Sequence, residues 1–213
     1  QGKSTMMLSP GVGPWQLIGN LYISEKFEPT KKKDYSCGSC NLCQISCPTG
    51  ALDEEYVLDS NKCISYWLQS HEIIPHEMRI NIGNRFYGCD ECLTSCPPGQ
   101  AKDFNMEMTS KVDLKKIIIM PNDELLNLYT WFYIPKMNGD YLKRNALIAL
   151  ANNPDSSTVD FIFELLKSES EIIRFYAIWA IWKLKKINDI AKYYDVRLER
   201  SELVKDEYLR LIK

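Results

Sequence analysis

The residues of this chain with the clearest chemistry are its eight cysteines, which fall into two runs. The first run is Cys37-x2-Cys40-x2-Cys43-x3-Cys47-Pro48. The second is Cys89-x2-Cys92-x3-Cys96-Pro97, with Cys63 alone upstream of it across 25 intervening residues. Eight thiolates are what two four-iron clusters need at four ligands each, and the first run has the bacterial ferredoxin spacing, in which the fourth cysteine of a run ligates the other cluster. The spacing therefore assigns Cys37, Cys40, Cys43 and Cys96 to one [4Fe-4S] cluster, and Cys47, Cys63, Cys89 and Cys92 to the other. Disulfide frameworks belong to small secreted chains, whereas this one has 213 residues, 45% of them hydrophobic. Structural zinc usually takes two paired Cys-x2-Cys arms around one ion, and three cysteines in succession at x2 spacing do not make two arms.

Bulk properties narrow the function classes. The net charge is -2, with residues 1–110 at net -4 and 111–213 at net +2, which is too weak an excess to mark a nucleic-acid surface by itself. No apolar run has membrane length. No export signal opens the chain, so oxygen-sensitive cysteines point to the cytoplasm. The two histidines, His71 and His76, lie in a Pro75-interrupted stretch and are expected to be solvated loop residues.

The elements that must hold these cysteines are expected to form an α+β chain. Apolar runs on either side of Ser9-Pro10-Gly11-Val12-Gly13-Pro14 suggest a β-hairpin over residues 1–30, followed by the basic linker Lys31 to Lys33. A lone hairpin is marginal in water, so it reads as part of a larger sheet. Residues 34–110 form the cluster module, a ferredoxin-like domain. Residues 111–213 carry apolar stripes at helical spacing over Leu114 to Met120, Glu124 to Trp131, Asp140 to Ala151, Thr158 to Leu166 and Ser168 to Lys185. Asp123 is a candidate N-cap. Helix pairs joined by short turns suggest a HEAT-like domain. Gly2-Lys3-Ser4-Thr5 matches the end of a phosphate-binding loop, but Pro10 to Pro14 leaves no room for the helix that motif requires.

The cluster module then carries a likeness. Ser36-Cys37-Gly38-Ser39-Cys40, Cys47-Pro48-Thr49-Gly50-Ala51, Cys63-Ile64-Ser65-Tyr66 and Gly83-Asn84-Arg85-Phe86-Tyr87-Gly88-Cys89-Asp90 resemble epoxyqueuosine reductases in order and spacing. Gly2-Lys3-Ser4-Thr5-Met6-Met7-Leu8 resembles the stretch before that family's first cysteine run. Arg144-Asn145-Ala146-Leu147 and Ile173-Arg174 to Trp179-Ala180 resemble its helices. The resemblance implies a cobalamin-dependent oxidoreductase that reduces epoxyqueuosine in the tRNA anticodon stem-loop to queuosine, with electrons passing through two [4Fe-4S] clusters to the corrinoid cobalt. It implies that residues 1–33 are the end of a cobalamin-binding domain, that the proton donor lies upstream of residue 1, and that Lys3, Ser65 and Gly88 contact the corrin. It also implies an external electron donor; a monomer is the expected state. For RNA, the candidate basic residues are Lys143, Arg144, Lys183, Lys185, Lys186, Lys192 and Arg197. Two other readings stay open: a two-cluster electron-transfer module, and a related corrinoid reductase with a different substrate.

Overall fold

The computed structural model describes residues 1–31, 36–100 and 112–212. Lys32 and Lys33 of the expected linker and the 101–110 end of the expected cluster module lie outside the described residues. The chain divides into two compact units, neither continuous in sequence. One is Gln1–Cys63 with Cys89–Met108, and the other is Ile64–Gly88 with Thr109–Lys213.

The expected α+β class is wrong. Among the described residues there is no strand, so neither the β-hairpin nor a β-containing ferredoxin-like module is present. What stands at the expected hairpin is one isolated antiparallel bridge between Ser9 and Gly13. Proline lacks the N–H that a ladder needs, and Pro10 and Pro14 flank the turn. Side-chain bonds take the place of further rungs. Gln16 Nε2 donates to the Met7 carbonyl at 2.8 Å, and Ser9 Oγ donates to Gln16 Oε1 at 2.9 Å. Beyond Gln16 the apolar residues Leu17, Leu21, Tyr22 and Phe27 are exposed. Gly13 has φ +65°, and a Cβ there would stand 2.7 Å from the Pro98 backbone, so only glycine fits this approach.

Among the described residues the first unit is built from turns, a 3-10 turn at Ser60–Lys62 and three one-turn α-helices: α1 (Leu42–Ile45), α4 (Glu91–Thr94) and α5 (Pro97–Gln100). Helices α1 and α4 pack together. Pro97 opens α5, where a missing N–H costs nothing, whereas Cys47-Pro48 leads into turns.

The second unit is helical: α2 (Ile64–Gln69), α3 (His76–Asn81), α6 (Leu114–Ile119), α7 (Asn122–Leu128), α8 (Asp140–Asn152), α9 (Thr158–Leu165), α10 (Glu171–Lys183) and α11 (Glu202–Leu211). Asp113 caps α6 by accepting from Lys116 N–H at 3.1 Å, and Ser170 caps α10 through Ile173 N–H. Asp123 is not a cap: α7 begins at Asn122 after Pro121, which leaves Asp123 in its first turn. Helices α8 and α10 form the core. Tyr141, Leu142 and Arg144 to Ala151 are buried on α8, as are Ile173 and Phe175 to Ile181 on α10. Around α10 pack α8, α9 and α11, while α6, α2 and α3 pack on α8.

Polar side chains of α8 hold the segment that returns from the cysteine region. Arg144 donates to the carbonyls of Trp67 and Glu72, each at 3.2 Å, and Asn145 donates to Leu68 O at 2.7 Å. Asn152 reaches Arg79 O and Gly83 O. Arg144 is thus buried, not part of an exposed basic stripe.

Candidate iron–sulfur site

Each cysteine run wraps a short helix by the same local rule. Cys43 sits in α1 and Cys92 in α4, and each helix ends on a serine followed by Cys-Pro. The two terminal serines meet: Ser46 Oγ lies 2.8 Å from Ser95 Oγ and donates to Glu91 O at 3.3 Å. Sequence reasoning missed this clasp, although Cys-x2-Ser-Cys-Pro stands in both runs and was the signal for it.

All eight thiols are free and partly exposed. Their mutual electrostatics separate them into two sets. Burial pushes the Cys43 thiol up, with the Cys37 and Cys40 charges adding to the effect. Cys96 is raised by burial and by Cys37, Cys43 and Cys40. Cys92 is pushed up to about 12 by burial, then by Cys89, Cys63 and Cys47. Cys47 is the exception. Burial raises it, but hydrogen bonds from the Thr49 N–H and hydroxyl and from the Ala51 and Leu52 N–H groups outweigh burial and leave it below the usual thiol range. The Ala51 N–H donates to Cys47 Sγ at 3.2 Å.

Partly buried, mutually repelling thiols resist ionisation, and a bound metal centre turns such groups into thiolates. Among the described residues no three of His, Cys, Asp and Glu converge closely enough to share one metal ion. Four cysteine thiols per set, the first run at ferredoxin spacing, are the donor chemistry that a four-iron cluster takes.

The three residues singled out for a corrin differ in environment. The Lys3 ammonium is nearly buried in the first unit, donating to Gly38 O at 2.8 Å and pairing with Glu55 Oε1 at 2.7 Å. Ser65 Oγ accepts from Gln69 Nε2 at 3.1 Å. Gly88 has φ +70° and open space where a Cβ would stand. His76, expected in solvent, packs edge-on against Trp182 at 5.3 Å and lies 3.3 Å from Glu207 Oε1, whereas His71 is exposed. Among the basic candidates, Lys192 pairs with Asp189 and Arg197 with Asp195, while Lys185 and Lys186 are exposed.

Residues 36–99 match the family model for a 4Fe-4S double cluster binding domain. The epoxyqueuosine reductase of Bacillus subtilis is 35% identical over 98% of this chain and 55% of its own length. A Geobacillus stearothermophilus relative, described as an uncharacterized protein in the gldA 3′ region, is 33% identical over 94% of this chain and 97% of its own. This chain belongs to the epoxyqueuosine reductase family. The solved Bacillus subtilis epoxyqueuosine reductase matches with TM-score 0.82 and 31% identity over 99% of this chain and 59% of that one. An epoxyqueuosine reductase solved with a tRNA-Tyr epoxyqueuosine-modified stem loop matches at TM-score 0.80 and 30% identity, over 99% and 58%. The chain spans about half the length of the curated epoxyqueuosine reductases that it matches. No described helix is long and apolar enough to cross a membrane.

Proposed function

We propose that this chain is the cluster-bearing and helical part of a cobalamin-dependent reductase that converts epoxyqueuosine in tRNA to queuosine. In this reading Cys37, Cys40, Cys43 and Cys96 hold one [4Fe-4S] cluster, and Cys47, Cys63, Cys89 and Cys92 hold the other. The observation that carries it is the match of residues 36–99 to a 4Fe-4S double cluster binding domain, within a chain 35% identical to an epoxyqueuosine reductase over 98% of its length. Protein-bound clusters reach very low potentials, which suits delivery of electrons from an external donor toward a corrinoid.

When bound, cobalamin would supply a reduced metal centre for attack on the epoxide. Lys3, Ser65 and Gly88 are the residues of this chain proposed to reach the corrin: Ser65 Oγ accepts from Gln69 Nε2 and keeps its own proton to donate, and Gly88 has open space where a Cβ would stand. The rest of the corrin site is proposed for the part of these relatives that the chain does not span. What the chain's own residues do is hold eight thiolates apart in two sets, shield Cys92 and brace the runs through the Ser46–Ser95 clasp.

The test is complementation. A strain lacking epoxyqueuosine reductase would express the full reading frame containing these residues, and its tRNA nucleosides would be analysed. Restored queuosine is the expected result. Persistent epoxyqueuosine, with both clusters loaded in the purified protein, would exclude this substrate and favour a related corrinoid reductase or an electron carrier.

A further inference from the structure

We propose that Lys3 and Glu55 form a charge pair that tunes the reduction potential of the cluster held by Cys37, Cys40, Cys43 and Cys96. The inference rests on the cluster part of the reading above and is independent of the tRNA substrate. Lys3 is 6% exposed, yet its ammonium reaches the first cysteine loop, donating to the carbonyl of Gly38 at 2.8 Å. Gly38 lies between Cys37 and Cys40 and has φ +52°, a conformation in which a side chain is disfavoured. Glu55 Oε1 stands 2.7 Å from the same ammonium, and its own side chain is about half exposed at 52%.

The backbone around Lys3 is arranged to present it. Gly2 N–H donates to Met6 O at 2.8 Å, and Thr5 N–H to Gly2 O at 2.9 Å, which closes a tight turn. Tyr56 N–H donates to Lys3 O at 3.0 Å and joins that turn to the loop after Cys47. Thr5 and Tyr56 have φ of 67° and 64°, left-handed values that a non-glycine residue adopts only under constraint. An ordinary surface ion pair would need neither the burial nor this backbone.

The electrostatic consequence has a sign. Reduction adds one electron from a low-potential one-electron donor, forms or breaks no bond, and moves no proton in the step as written. The cluster gains one negative charge. A cation held beside its ligand loop, away from water, stabilises that charge and raises the potential; a carboxylate next to the cation offsets it. Lys3 is a tuning residue, and Glu55 sets how much of its charge the cluster feels.

The test uses the full chain with both clusters reconstituted anaerobically, comparing wild type with Lys3→Met, Lys3→Arg and Glu55→Gln. Potentials would be read by dithionite titration followed by electron paramagnetic resonance. Lys3→Met should lower one of the two midpoint potentials, Glu55→Gln should raise the same one, and Lys3→Arg should restore it. The second potential should stay in place. Unmoved potentials in loaded variants, or shifts of the same sign in Lys3→Met and Glu55→Gln, would overturn the proposal. If Lys3→Met fails to load, Glu55→Gln decides: a raised potential supports the pair, and an unmoved one overturns it. Failure of the wild type to take up iron would overturn the cluster reading as well, which keeps the two failures distinguishable.

Discussion

Cys47 and Cys96 close their own runs with Cys-Pro, yet each is coupled electrostatically to thiols of the other run. Cys96 is raised by Cys37, Cys43 and Cys40, and Cys92 feels Cys47. Replacing Cys47 by serine should therefore cost the cluster served by Cys63, Cys89 and Cys92, and Cys96→Ser should cost the one served by Cys37, Cys40 and Cys43. Iron analysis with Mössbauer spectroscopy on each variant checks this. Loss of the cluster of the substituted residue's own run would refute the crossover. Arg79 raises a different single-residue question. It is 1% exposed, it pairs with Glu207 at 2.5 Å, and its guanidinium faces the rings of Phe175, Tyr176 and Trp179. Glu207→Ala leaves this buried cation without its partner, which should cost about 3–5 kcal/mol. Chemical denaturation should show the loss; a change under about 1 kcal/mol would mean that solvent reaches Arg79 and the pair is a surface one.

At the scale of elements, α11 is docked by charge as much as by apolar burial. Glu207 on α11 takes Arg79 and His76 from α3 and Arg210 from its own helix. Burial and the charges of Arg79 and Arg210 hold His76 below its usual range, against the pull of Glu207. These groups line a cleft of about 250 Å³ with Ile73 and Leu203. A second charged joint fixes the turn before α11: Arg174 on α10 grips Glu199 through two bonds of 2.8 Å, and the Tyr194 hydroxyl donates to the same carboxylate. Arg174 is the main reason Glu199 falls from 4.5 to about 2. A depressed carboxylate stabilises the fold above its unfolded pKa and loses that contribution as pH falls toward the folded value. Thermal melts should therefore show a loss of stability from about pH 4.5 downward that is reduced in Glu199→Gln, the variant being less stable at neutral pH. Parallel acid profiles for the two proteins would remove this joint from the acid response.

At the scale of the whole molecule, the basic residues of the helical unit decide the RNA question. Arg144 is spent on backbone carbonyls, and Lys143 lies 3.7 Å from Asp140. Lys185 and Lys186 remain exposed beyond α10, next to Lys183 at its end. Replacing all three with alanine should weaken binding to a tRNA stem-loop and flatten its salt dependence, since each phosphate contact contributes a slope of roughly -0.9 for a duplex. The cluster content should not change, because these residues and the cysteines belong to different compact units. Affinities at several salt concentrations test it; equal affinity and slope would return the lysines to an ordinary solvated helix end.

Local spacing made part of this protein legible from sequence. Helices α8, α9 and α10 followed from apolar periodicity, because helical bonds form within a turn or two of chain. One boundary moved where a cap decided it: α10 starts after Ser170 rather than at Ser168. Only the tertiary structure decided what depends on distant partners. Residues 1–30 had the composition of a hairpin, but a strand exists only where another lies beside it, and Gln16 bonds to Ser9 and Met7 instead. Arg144 and His76 had the polarity of surface residues, yet carbonyls from the 64–88 segment and the rings of α10 enclose them. The partners of Lys3, a carbonyl 35 residues away and the Glu55 carboxylate, are likewise set by the fold. In each case the residue supplies the charge or hydrogen-bonding group, and the fold selects its partner.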